Sequence, residues 1–162
     1  MKKIGIISDT HLKKPNDLIK RIALQYFSDV DLIIHAGDMV RLCVLDPFFE
    51  TEKDIIAVSG NMDYPEVSDS FPLKQTIEIE DIRIGIIHGW GDPYGMRARI
   101  KQEFSEVDAI IYGHTHQAFS GKEDNVFFFN PGSPTDTRFT KDNSIGIIEI
   151  DSKKIEGKII KL

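Results

Sequence analysis

The chain has little of several things that would place it in large protein classes. It carries one cysteine, Cys43, so no disulfide can form within it, and the composition fits a reducing compartment. It has no excess of positive charge. The formal net charge is −6, which leaves it without the electrostatic footprint of a tight, non-specific nucleic-acid binder. No apolar run approaches the length needed to cross a bilayer. The apolar stretch in the N-terminal MKKIGIISDTH ends at Asp9 and is too short for the core of a signal peptide. Linkers, repeats and low-complexity segments are also missing. A single cytoplasmic domain spanning residues 1–162 is therefore expected, of ordinary globular composition and long enough to bury a real core.

What the chain does have is a series of short apolar runs, each followed by polar residues able to bind a cation. They read IGIISDTH, LIIHAGD, IIAVSGNMD, IGIIHG and AIIYGHTH. Near-continuous apolar runs suit strands buried on both faces. In open α/β sheets the functional crevice lies beyond the strand carboxyl ends. The order of elements predicts strands over 3–8, 32–36, 55–59 and 109–112, with a helix over 17–27 and another over 95–104. Pro47 ends or kinks a helical segment within 40–49, and 64–72 reads as a surface loop. Residues 76–80 alternate and lead into the buried run before His88, as in a hairpin. The last third predicts four more strands over 118–122, 126–129, 145–150 and 154–160. This pattern points to an α/β fold with two sheets packed face to face and helices outside.

The chemistry of the run ends is consistent. Asp9 and His11 lie two apart, so an extended backbone would aim both to one side. Asp38 follows Gly37, and Asn61 follows Gly60. His88 closes one run, and His114-Thr-His116 another. Taken alone, Asp-x-His is a common tripeptide, a strand-end carboxylate often caps a turn, and a lone histidine is usually a satisfied polar group. The His-x-His after a buried strand has fewer structural explanations. The donors are imidazole, carboxylate and amide, with no thiolate, which selects manganese, iron, nickel, cobalt or zinc. Seven candidate ligands are too many for one ion and suit two ions sharing a bridge.

Asp9-x-His11, Gly37-Asp38, Gly60-Asn61-x-Asp63, His88, Gly113-His114-x-His116 and the turn Asn130-Pro131-Gly132-Ser133 resemble the calcineurin-like metallophosphoesterases, specifically their small single-domain phosphodiesterase branch. The resemblance covers most of the chain. It implies a four-layer α-β-β-α sandwich with two mixed sheets and a binuclear centre at the strand carboxyl ends. By that similarity Asp9, His11, Asp38 and His116 hold one ion, manganese being the first expectation, and Asp38 bridges. Asn61, His88 and His114 complete the second. A bridging hydroxide attacks phosphorus, with Asn61, His88 and Asp63 as catalytic candidates. The expected partner is a small phosphoester, with self-association possible.

One position departs from the family pattern. Many relatives carry histidine, and some small ones cysteine, where this chain has Met62, and a thioether has no proton to give. The resemblance leaves two other functions open. One relative, a retromer-coat subunit, uses the fold as a scaffold, but it is recognised by missing ligands that this chain retains. A nuclease would need a basic groove. Among other residues, His35 reads as structural support and Cys43 as a small hydrophobe. Trp90 reads as a pocket wall that contacts substrate or as packing. Arg97, Arg99 and Arg138 read as solvated charges, any one of which could guide a phosphate. In the run Phe127–Phe129, alternation predicts that Phe128 is exposed or covered by a second subunit.

Overall fold

The structure, a computed structural model, describes residues 1–162. Its first half alternates strand and helix: β1 (Lys2–Ile7), α1 (Asp17–Arg21), β2 (Leu32–His35), α2 (Asp46–Phe49), β3 (Asp54–Ala57) and α3 (Pro65–Ser68). Then follow β4 (Lys74–Ile79), β5 (Ile82–Ile87), α4 (Met96–Lys101), β6 (Ala109–Ile111), β7 (Phe119–Glu123), β8 (Val126–Asn130), β9 (Ser144–Asp151) and β10 (Lys154–Lys161). They form two five-stranded mixed sheets, in the orders β10-β9-β1-β2-β3 and β4-β5-β6-β8-β7. No helix is long and apolar enough to cross a membrane.

The period of two along each strand builds the layers. On β1, Ile4 and Ile6 face the second sheet and meet Ile84, Ile86, Ile111 and Phe129 between the sheets. Ile7 faces the other way, toward Ile19, Ile22, Phe27 and Phe48 under the first helical layer. On the far side, Ile110, Tyr112 and Phe128 pack beneath Met96 and Ile100 of α4. The result is the expected α-β-β-α sandwich. Its parallel cores, β1-β2-β3 and β5-β6-β8, bring six strand carboxyl ends to one rim.

Three local expectations need correction. The helix predicted over 17–27 is α-helical only to Arg21, where Asn16 caps it by accepting from Ile19 N–H at 3.0 Å. It then widens into a π turn over Ile22–Tyr26, and Phe27 N–H bonds Ile22 C=O at 2.9 Å. The wider turn buries Ile22, Ala23 and Phe27 together. The 64–72 segment is not simply a loop: Pro65 opens the one-turn helix α3, whose Val67 is fully buried. Phe128 is neither exposed nor left for a second subunit. It is 1% exposed and meets Tyr112 edge-on at 6.4 Å, because α4 covers this face.

This packing predicts that Phe128→Ala costs about 3–5 kcal/mol, the loss expected for a filled core position. Urea unfolding should place Leu73→Ala, at a side chain 73% exposed, within about 0.5 kcal/mol of the parent. Similar small effects for both would mean that α4 does not seal the Phe128 face.

Candidate metal centre

The rim collects the run ends as expected, but through a different backbone. Asp9 and His11 are not extended. Their φ angles are 54° and 46°, and Asp38, His114 and His116 are also left-handed at 55°, 68° and 57°. Asn61 is not in that region. Such conformations cost non-glycine residues on the order of 1–3 kcal/mol each and persist only where the surroundings enforce them. Here the loops enforce one another. Asp9 N–H bonds Gly37 C=O and His11 N–H bonds Asp38 C=O, each at 3.0 Å, while Gly113 N–H bonds His88 C=O at 3.1 Å. The loops also need glycine. A β-carbon at Gly113 would collide with Ser8 Oγ and lie 2.6 Å from Asp9 Oδ2, and one at Gly60 would collide with the Asp38 carboxylate.

Three imidazoles converge on two buried carboxylates. Asp9 Oδ1 lies 3.2 Å from His116 Nε2 and 3.7 Å from both His11 Nε2 and His88 Nε2. Asp38 Oδ2 lies 3.2 Å from His88 Nε2 and 3.5 Å from His11 Nε2. Asp9, His11 and His116 each offer a ligand atom within 4.8 Å of the others, and so do Asp9, Asp38 and His88. The other carboxylate oxygens are held from behind. Asp9 Oδ2 accepts from Ser8 Oγ at 2.6 Å and His114 N–H at 3.0 Å, and Asp38 Oδ1 accepts from Met62 N–H at 2.8 Å.

The donor set fits a cation. His88 Nδ1–H donates to Ala36 C=O at 2.7 Å, which leaves Nε2 as the lone-pair nitrogen, and that buried Nε2 has no aligned hydrogen-bond partner. His11 Nε2 and His116 Nε2 face each other at 3.1 Å. Two lone pairs so placed repel unless a proton or a metal ion lies between them. Burial opposes charge on His88, but the Asp9 and Asp38 carboxylates outweigh it and push the imidazole up to about 9. Burial likewise opposes the Asp9 carboxylate, and His88, His11, His116 and Ser8 together still hold it well below its usual range.

His114 and Asn61 stand slightly apart from this cluster. His114 Nε2–H donates to Gly91 C=O at 3.0 Å, so its lone pair belongs on Nδ1, which lies 3.0 Å from Asn61 Oδ1. Arg99 steadies that arrangement from behind: its guanidinium donates to the carbonyls of Trp90 and Asp92, on either side of Gly91. Trp90, expected to be a pocket wall or packing, is half-exposed with the Arg99 guanidinium 5.9 Å from its ring, and Gly91 and Pro93 beside it line the cavity. The cavity measures about 430 Å³ and is walled by His11, Asp38, Asn61, His114 and His116, with Met62, Arg138 and Phe139 at its mouth.

The surrounding polar residues tie the loops together. Asp63 accepts from the N–H groups of Val40, Gly60 and Asp38 at 2.6, 2.7 and 3.1 Å; burial nevertheless pushes its carboxyl up. His35 lies outside the cluster. Burial holds it neutral, down at about 4, between Thr10 Oγ1 and Gly37 N–H. The Asn130–Ser133 turn is a clasp: Asn130 donates to Gly113 C=O and Ser133 to Asp9 C=O, at 3.0 and 2.7 Å. Sequence reading passed over Asp136. Its Oδ2 lies 3.6 Å from His116 Nδ1, within ion-pair but not hydrogen-bond reach, and Arg138 holds its pKa down at about 2. Only its position a few residues beyond that turn could have drawn attention to it.

The sequence profile of the calcineurin-like phosphoesterase superfamily domain matches residues 1–153. A probable metallophosphoesterase of Methanocaldococcus jannaschii is 40% identical over 164 residues, covering 98% of this chain and 81% of the relative. This chain belongs to the calcineurin-like phosphoesterase superfamily. A solved archaeal phosphodiesterase is 31% identical, with a TM-score of 0.74 over 98% of this chain and 99% of that one. Vps29 of Chaetomium thermophilum, at 20% identity and a TM-score of 0.76 over 100% of this chain and 97% of its own, shares the fold. The protein is therefore a phosphoester hydrolase of the metallophosphoesterase type.

The electrostatics of this metallophosphoesterase predict a pH signature. Without a cation, the folded pKa of His88 (about 9) exceeds the ordinary imidazole value of 6.5. The stability its charge contributes is therefore complete below pH 6.5 and fades as pH rises through 9. A chelator-treated sample should lose Tm across that interval. A divalent ion, by replacing the proton, should remove the loss and bind more tightly as pH rises. Thermal unfolding with and without metal measures both, and pH-independent metal affinity would contradict the assignment of His88 as a ligand.

Proposed function

We propose that this metallophosphoesterase hydrolyses phosphodiesters at a centre for two divalent cations. The observation that carries the reading is the convergence of His11, His88 and His116 on Asp9 and Asp38. In this reading Asp9, His11, Asp38 and His116 hold one ion, and Asn61, His88 and His114 the other. The position of Asp38 Oδ2 between His11 and His88 supports Asp38 as the shared ligand. Imidazole, carboxylate and amide donors accept manganese, iron, nickel, cobalt or zinc, and manganese is the first choice for assay. When bound, such a pair activates water as the nucleophile and offsets charge gathering on the phosphoryl oxygens.

The chain's own residues do the remaining work. The Asn61 amide, exposed at the cavity wall beside His114, is placed to steady a phosphoryl oxygen. Asp63 acts as a positioning residue, holding the loops of Asp38 and Asn61 in register through three backbone N–H groups. Met62 is 52% exposed at the cavity mouth and has no proton for a leaving oxygen. The site therefore favours esters whose leaving groups depart as stable anions. The likeness to an archaeal phosphodiesterase supports diesters as the class. The Vps29 likeness raises a scaffold reading, but it extends only to the fold, and all seven candidate ligands are present here. A nuclease reading finds no support in the net charge of −6.

The test is turnover of bis(p-nitrophenyl) phosphate with added manganese, with Asp38→Asn as the inactive control. Met62→His should accelerate hydrolysis of alkyl diesters more than aryl diesters, by up to the ~10²–10⁴-fold that general-acid help supplies. Equal gains on both, or none, would remove the role assigned to this position. A metal-loaded but inert protein that holds a stable macromolecular partner would favour the scaffold.

A further inference from the structure

The metal-centre cavity is not the only opening at the rim. A second groove of about 510 Å³ runs from the other side of His11, Met62 and Arg138, the three residues that line both spaces. Its own walls include Lys13, Tyr64 and Thr137. A phosphodiester with phosphorus at the carboxylate–imidazole cluster must send its two ester arms apart. A monoester has a single arm and would leave one of the two spaces unfilled.

The groove is also poor in acidic groups, in a chain whose net charge is −6. Lys13 is exposed and forms no ion pair. Arg138 spends one edge on Asp136, through Nε at 2.9 Å, and still reaches both spaces. Asp136 is the only carboxylate lining the groove, and this bond already neutralises it. Tyr64 is 41% exposed, and the Arg41 guanidinium lies over its ring at 5.1 Å. Arg41 is itself paired with Glu66, so the unpaired positive charge of the groove is Lys13, and a half-open aromatic ring in the same groove suits a planar group that itself bears negative charge.

Building on the phosphodiesterase reading, we propose that this groove is a subsite for one arm of the diester and selects an arm carrying a planar ring and a further phosphate, as a nucleotide does. Hydrolysis forms one P–O bond from water and breaks one ester P–O bond. The leaving oxygen departs as the alcohol or its anion, and the nucleotide arm remains on the monoester product.

Three chromogenic diesters test this, all releasing p-nitrophenolate: methyl p-nitrophenyl phosphate, thymidine 5′-(p-nitrophenyl phosphate), and the latter carrying a 3′-phosphate. KM should fall along the series. Tyr64→Ala should erase the first step. Lys13→Ala should erase the second, raising KM for the phosphorylated substrate about ten- to a hundredfold relative to its unphosphorylated counterpart, the size of one contact to a charged group. Equal KM values, or a series that survives both substitutions, overturn the subsite while turnover leaves the phosphodiesterase reading intact. If none of the three is hydrolysed, that reading fails instead, and calorimetric binding of thymidine 3′,5′-bisphosphate to the metal-loaded protein decides the groove. Binding weakened by Lys13→Ala supports the subsite, and no binding to the parent overturns it.

Discussion

Two carboxylates, Asp9 and Asp38, are buried within reach of the same imidazoles, and the rest of the rim is built to keep them there. Removing one carboxylate from water is costly, and removing two like charges to one place is more so. Asp9 is completely buried and Asp38 nearly so. Their field accounts for the raised His88 and for the lone-pair nitrogens turned inward. A site that concentrates negative charge and imidazole nitrogen away from water is stable when positive charge enters it.

The backbone is strained to make this arrangement, and the strain is distributed. Five ligand candidates occupy left-handed conformations, as does the β-branched Val40 at φ 79°. No single interaction enforces them. Asp63 binds the loops after β2 and β3 together, the clasp from Asn130 to Ser133 binds those after β1 and β6, and Arg99 braces the loop after β5. Because the two sheets are fixed to each other by a dry interface of isoleucines, these ties all work against one rigid frame. The rim beyond the frame is built differently. Met62, Tyr64, Arg138 and Phe139 stand on exposed loops around the frame, where side chains are less constrained by packing.

Much of this was readable from the chain, for identifiable reasons. The five buried strands announce themselves because burial on both faces demands continuous apolar sequence. The ligands announce themselves because each follows such a run. Errors fell where a residue's role depends on something distant in sequence. Phe128 alternates as an outward residue should, yet α4 covers it. Asp-x-His was expected to share a side through extended geometry, but the two residues turn inward through paired left-handed bends held by the loop of Asp38.

Apolar run length and the order of elements pointed to two sheets packed face to face with helices outside, since alternation and run length depend only on which faces must leave water. The family resemblance supplied the four-layer sandwich. The types and order of the polar residues likewise dictated a thiolate-free cation site. Folding in three dimensions decided the rest: the left-handed turns, the direction of each lone pair, the place of Asp136 behind His116, and the groove beyond Met62. Those features arise from hydrogen bonds and contacts between segments up to 125 residues apart, such as Thr135 to Thr10, and no local pattern encodes a distance across the fold.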